Sequence, residues 1–314
     1  MNVFGVDIFF VISGFILSTV VLRSPHHAGP GAAWHFLKRR LIRIFPIYWI
    51  IAIPVGLRVF HASHHLGIEY LPGLFLLPSF SYPAWAMIEP AAWTLIFEML
   101  FYYTLTLVQL LTVRRAVLCA IVVLSSFVAL GTVVSIRRPY WIVICNPILL
   151  EFIFGACVAL IFQKFGRQRS LGISLVAIGV VGSVLLEIFY SGAANGLQMV
   201  LTNQHVFARV FTWGLMALAL VMGVIFWSPT PTGWLGKTAV ILGNASYSVY
   251  LVSILVHEAA ARSFLAVVRN YLPLSNGLQL VGMVLTTAEV MFAGWLCYQL
   301  VEWPLLRKLQ ARLL

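Results

Sequence analysis

Charge is what this chain has least of: only 9% of its 314 residues are Asp, Glu, Lys or Arg. A soluble surface takes roughly 25%, so this sequence cannot cover a water-facing fold. Cysteine is scarce as well. Cys119, Cys145, Cys157 and Cys297 lie within or beside apolar runs, form no CxxC or Cys/His cluster, and read as small packing residues. There is no long polar tail, low-complexity tract or repeat. These absences exclude a soluble enzyme, a nucleic-acid binder and a disordered scaffold, even though the formal net charge is +11.

What stands in place of charge is apolar side chain, 61% of the sequence, with a mean hydropathy of +0.98. A membrane helix needs about 20 mostly apolar residues. That ruler gives nine spans, near 3–22, 41–60, 91–112, 116–136, 140–163, 170–190, 206–227, 238–257 and 277–303. Breakers separate them: Ser24-Pro25, Gly29-Pro30, Gly166, Ser191-Gly192, Pro229 to Gly233 and Pro273 to Gly277. The expected fold is an all-α polytopic bundle, one transmembrane domain over residues 1–314.

Loop cations orient it. Fourteen of the twenty, including Arg23, Lys38, Arg39, Arg40, Arg43, Arg114, Lys164 and Arg307, fall on one side; Arg58, Arg137, Arg138, Arg209, Arg262 and Arg269 fall on the other. The positive-inside rule makes the richer side cytoplasmic, with the C-terminus inside and Met1 outside. The first apolar run starts at Val3, with no basic flank and no small-residue cleavage site, so it is not a signal peptide. It reads either as an N-out helix or as the start of a chain that begins one helix late.

Ionisable groups inside spans cost about 2.5–3.5 kcal/mol on insertion scales, so each one asks for a reason. Asp7 lies near the outer end of the first span, Glu98 mid-way along the third and Glu151 centrally in the fifth; Glu289 and Glu302 lie in the ninth. Glu98 and Tyr102 are four apart and share a helix face, a pairing that could hold a proton or link two helices. In FLKRRLIRIFPIYW, Arg39, Arg40 and Arg43 share one face at the start of a helix. They are either inside anchors or an anion site in which arginine forks join free helix N–H groups. Phe45, Tyr48 and Trp49 beside them could flank a ring or form the interfacial belt. Ser13-Gly14-Phe15 offers a small notch, for close packing or for substrate. His61, His64 and His65 lie together in HASHHLGIE but lack a metal-ligand spacing, and no histidine falls mid-membrane. No metal site is expected.

In this order, GVDIFFVISGF, RRLIRIFPIYW, WTLIFEMLFYY, NPILLEFIFGA and GNASYSVYL closely resemble the membrane-bound acyltransferase 3 family, over about Phe4 to Pro304. Its members acylate cell-surface sugars, including exopolysaccharide, lipopolysaccharide O-antigen and Nod-factor acceptors. LEFIFGACVAL and the short C-terminus look most like the branch that acetylates exopolysaccharide of the succinoglycan type.

The resemblance implies a bundle usually of ten helices in a bacterial inner membrane. Its donor would be acyl-coenzyme A, expected as acetyl-coenzyme A, and its acceptor a carbohydrate hydroxyl. No bound cofactor is implied. Arg40 and Arg43 match the family's RxxR pair, thought to hold donor phosphates, with Arg39 and Tyr48 beside them. Glu98, Asp7 and Ser13 are then the catalytic candidates. Gly14, Phe15, Trp93, Tyr102 and Glu151 would line the acceptor site or an acyl tunnel.

Two features depart from the family. Its members carry a further first helix ending in a histidine taken as the base, and this sequence starts just after that helix would finish. Without it, the chain as it stands is a candidate for an inactive form. The family's late YLxH reads Tyr250-Leu251-Val252-Ser253 here, with His257 one turn on. The alternatives from other classes are a transporter or flippase of a lipid-linked sugar and a non-catalytic subunit of a polysaccharide assembly system.

Overall fold

The computed structural model describes residues 4–23, 29–63, 67, 70–79, 88, 90–111, 115–134, 138–190, 196–203, 205–271 and 276–313. Met1, Val3, Ser24, Pro25, His64, His65, Arg114, Arg137, Ser191, Gly192 and Pro273, named above, lie outside them. Among the described residues all regular structure is helical, and nine helices are long and apolar enough to cross a membrane. Each overlaps one of the nine apolar runs of the sequence.

In chain order the helices are α1 (Phe4–Leu22), α2 (Pro30–Ser63), α3 (Leu71–Leu74), α4 (Trp93–Leu111), α5 (Ala116–Val133), α6 (Pro139–Ile144) and α7 (Leu149–Phe165). There follow α8 (Arg169–Phe189), α9 (Gly196–Thr202), α10 (Val206–Arg209), α11 (Leu215–Trp227), α12 (Gly233–Tyr271), α13 (Asn276–Cys297) and α14 (Trp303–Leu313). Two π-helical turns, Val210–Gly214 and Tyr298–Glu302, join α10 to α11 and α13 to α14.

Three departures from the expected spans have local causes. The second helix begins at Pro30, eleven residues before the apolar run. Proline suits a first helical position, and the Ala, Leu, Lys and Arg that follow are good helix formers whatever their polarity. The fifth span is broken at Cys145–Ile148, where Pro147 has no N–H to give and the Asn146 side chain takes over. Asn146 Oδ1 accepts from the Ile148 N–H at 3.0 Å, and its Nδ2 donates to the Val200 carbonyl at 3.0 Å. The last helix runs on through its π turn to Leu313.

The contacts group into two compact units. The first comprises 1–38, 68–86 and 93–229, the second 39–67, 87–92 and 230–314. Within the first, α1 packs along α7 and α8 along α11. Both interfaces are closed by glycine: a Cβ on Gly14 would strike the Phe152 backbone, and one on Gly155 the backbone of Val11 and Phe15. Gly172 and Gly223 bring α8 against α11 in the same way. Between membrane helices, where no water is released, such close approach supplies the packing energy. In the second unit α12 lies along α13, with Gly294 against Val249.

Candidate functional site

In the first unit the third span places Trp93, Thr94, Glu98, Phe101 and Tyr102 on α4, all buried. The Tyr102 hydroxyl donates to Glu98 Oε1, so the shared face expected from the i, i+4 spacing is a direct hydrogen bond. Aromatic rings pack around α4 in the same unit. Phe10 of α1 stands edge-on to Trp93 and Phe97, with centroids 6.2 and 6.0 Å apart, and tilts against Phe152 at 4.7 Å. Phe36 meets Tyr102 edge-on at 6.4 Å. Glu98 is thus a buried carboxylate aimed by a phenol. It can accept a proton from a hydroxyl brought to it.

Asp7 is buried in the same unit, and its partner is a residue that the loop assignment placed outside. Arg209 Nη2 donates to Asp7 Oδ2 at 2.5 Å, across 202 positions of sequence. Arg209 is therefore no surface anchor: it closes α10 with 2% of its side chain exposed, and Asp7 is fully buried. Glu151 lies within hydrogen-bonding reach of Asp7. It is not mid-helix, as the length of its span implied. The break at Pro147 puts it in the first turn of α7, where the helix dipole favours a negative side chain.

The Ser13-Gly14-Phe15 notch is a packing feature in this structure. Gly14 gives α7 its seat, Ser13 is buried and Phe15 meets Phe162 edge-on at 6.2 Å. Asp7, Ser13, Gly14, Phe15, Trp93, Glu98, Tyr102 and Glu151 thus all belong to the first unit.

Arg39, Arg40, Arg43 and Tyr48 belong to the second. Arg39 and Arg43 are exposed and Arg40 is half-buried. Because α2 starts at Pro30, these arginines follow its first two turns, where the N–H groups already serve the helix. The expected cradle of free helix N–H groups is absent at this point. An anion here would be held by guanidinium forks alone. Tyr48 is fully buried, so it cannot flank a ring at the surface; Phe45 and Trp49, 5.1 Å apart, are the accessible pair.

GNASYSVYL, on α12, is spent on holding this unit together. The Tyr247 hydroxyl donates to the Ile44 carbonyl at 2.9 Å, the Tyr250 hydroxyl to the Ala91 carbonyl at 2.7 Å, and Ser248 to Glu302 Oε2. Glu302 is buried and interacts electrostatically with Arg43. In the sequence these residues showed only as a motif, GNASYSVYL, and as a carboxylate beside a membrane-end Trp-Pro, and neither names a partner. Among the described residues no group of three metal-ligating side chains occurs.

The sequence model of the family described as an acyltransferase domain matches residues 1–303. The exopolysaccharide production protein ExoZ of Rhizobium meliloti (strain 1021) is 30% identical over 321 aligned residues, covering 98% of this chain and 90% of that protein. No solved structure matches.

Proposed function

The chain belongs to the acyltransferase family that its residues 1–303 match, and on that membership we propose a specific reaction for this membrane O-acyltransferase. It moves an acyl group, expected to be acetyl, from cytoplasmic acyl-coenzyme A to a hydroxyl of an exported exopolysaccharide. The carrying observation is that the family match and the likeness to an exopolysaccharide production protein both extend over almost the whole chain. The buried, phenol-bonded Glu98 is the geometric support.

In the proposed reaction the acceptor hydroxyl loses its proton as its oxygen attacks the thioester carbonyl. The new C–O bond forms the ester, the C–S bond breaks, and the thiolate of coenzyme A leaves and takes up a proton. Glu98 takes the hydroxyl proton or orients the group that does, with Tyr102 fixing its direction. Arg40 and Arg43, with Arg39, hold the donor's phosphates through bidentate forks. The enzyme would sit in a bacterial inner membrane with its C-terminus in the cytoplasm, on the side that carries most of the arginine and lysine.

The donor assignment is tested in proteoliposomes by following transfer from acetyl-coenzyme A. Arg43→Ala should raise the apparent KM for acetyl-coenzyme A roughly tenfold or more, the value of a charge-assisted hydrogen bond. Arg43→Lys should recover only part of it, because the fork is lost. An unchanged donor KM in both variants would remove Arg43 from the donor site.

A further inference from the structure

The Asp7–Arg209 pair leaves most of its cluster unmet. Asp7 and Glu151 are fully buried, and Arg209 and Trp213 are 2% exposed. Yet, apart from the approach of Asp7 to Glu151, Asp7 Oδ1, both Glu151 oxygens, Arg209 Nε and Nη1, and Trp213 Nε1 have no hydrogen-bonding partner among the described residues. Asp7 and Glu151 approach each other, and a proton shared between them satisfies one oxygen of each; the second Glu151 oxygen, which accepts, and the guanidinium and indole nitrogens, which only donate, stay unmet. Each unmet buried group costs about 1–3 kcal/mol, so the remaining four call for something to fill them.

The backbone is shaped around the same point. The π turn Val210–Gly214 directly follows Arg209 and carries Trp213, and such turns occur often at functional sites. Gly214 brings the turn close to the carboxylate: a Cβ there would stand 2.9 Å from Glu151 Oε1. Phe4 backs the Trp213 ring at 5.2 Å.

The mixture of unmet atoms selects the ligand class. An anion would face two carboxylates, and a cation would face a guanidinium and an indole N–H. A neutral hydroxyl suits both sets, since its hydrogen goes to Glu151 and its lone pairs accept from Arg209 or Trp213.

We propose that Asp7, Glu151, Arg209 and Trp213 form a buried hydroxyl-binding site in the first unit, with the Asp7–Arg209 ion pair as its fixed wall. The hydroxyl is that of an ordered water or of the acceptor sugar. The sugar alternative rests on the function proposed above; the site itself does not.

Radical footprinting of the full-length protein in nanodiscs separates these outcomes. Hydroxyl radicals generated from water by X-rays oxidise buried side chains that touch bound water, so the probe is water itself. Trp213 should be oxidised at least severalfold faster than Trp93, which is also buried. Protection of Trp213 by a succinoglycan oligosaccharide would assign the site to a sugar hydroxyl, and Trp213→Phe should then raise the acceptor KM roughly three- to tenfold, the value of one hydrogen bond, without changing donor KM. Fast oxidation that the oligosaccharide leaves unchanged would assign it to water. Oxidation of Trp213 no faster than that of Trp93 would overturn the site, whether or not the protein transfers acyl groups.

Discussion

For a single side chain the question is what aims it. Glu98 accepts from Tyr102 on its own helix, so removing that phenol should leave the carboxylate in place but less directed. Tyr102→Phe is expected to lower kcat about ten- to a hundredfold, the value of a hydrogen bond to a charged group, with both KM values little changed. A loss confined to KM would make Tyr102 a binding residue instead. The Glu98–Tyr102 contact was readable from sequence because it is local, four residues along one helix. The Asp7–Arg209 pair was not: its members are 202 residues apart. Counting charges by loop put Arg209 at a membrane edge, since nothing in VFARVFTWG distinguishes an anchor from a buried counter-ion. The hydrogen bonds of Tyr247, Ser248 and Tyr250 were hidden for the same reason. Each has its partner on another part of the chain, 203, 54 and 159 residues away.

Among the helices, the close seat of α1 on α7 organises the first unit. Gly14 and Gly155 meet backbone on both sides, so no rotamer change can make room for a larger side chain. Gly14→Leu should therefore prevent stable folding, beyond the cost of about 1–3 kcal/mol usual for overpacking. Gly5→Leu, with nothing within 4 Å, should be tolerated. Thermal melting of the detergent-solubilised variants checks this; equal melting temperatures would mean the notch is not a packing seat. The small-residue pattern was visible in sequence as a notch, and the structure gives its partner. Helix limits were legible where hydropathy and propensity agree, and misread where they part. The start of α2 is too polar for a hydropathy ruler and still helical, which moved Arg40 and Arg43 away from free N–H groups. Asn146-Pro147 is a break signal of its own that the apolar count overran, and it decides that Glu151 stands in a first turn. The π turns depend on packing and leave no local mark.

At the scale of the molecule, nine helices among the described residues are apolar and long enough to cross a membrane, and with a family match that spans both units they make this a multi-pass membrane enzyme. The distribution of arginine and lysine gives the proposed orientation, and it can be checked without the reaction. Green fluorescent protein fused after Leu314 should fluoresce in intact bacteria, and alkaline phosphatase at the same point should be inactive. The reverse pair of results would turn the molecule over and put Arg40 and Arg43 on the wrong side for a cytoplasmic donor.

The central claim is that an acyl group from coenzyme A ends as an ester on a glycan. Its most direct test is purified protein in proteoliposomes with acetyl-coenzyme A radiolabelled in the acetyl group and an exopolysaccharide acceptor. The account predicts glycan label that mild alkali releases, lowered about 10²–10⁴-fold by Glu98→Gln, the usual range for losing acid–base assistance. Glycan that crosses the bilayer with no alkali-labile label, or label undiminished by Glu98→Gln, would contradict it.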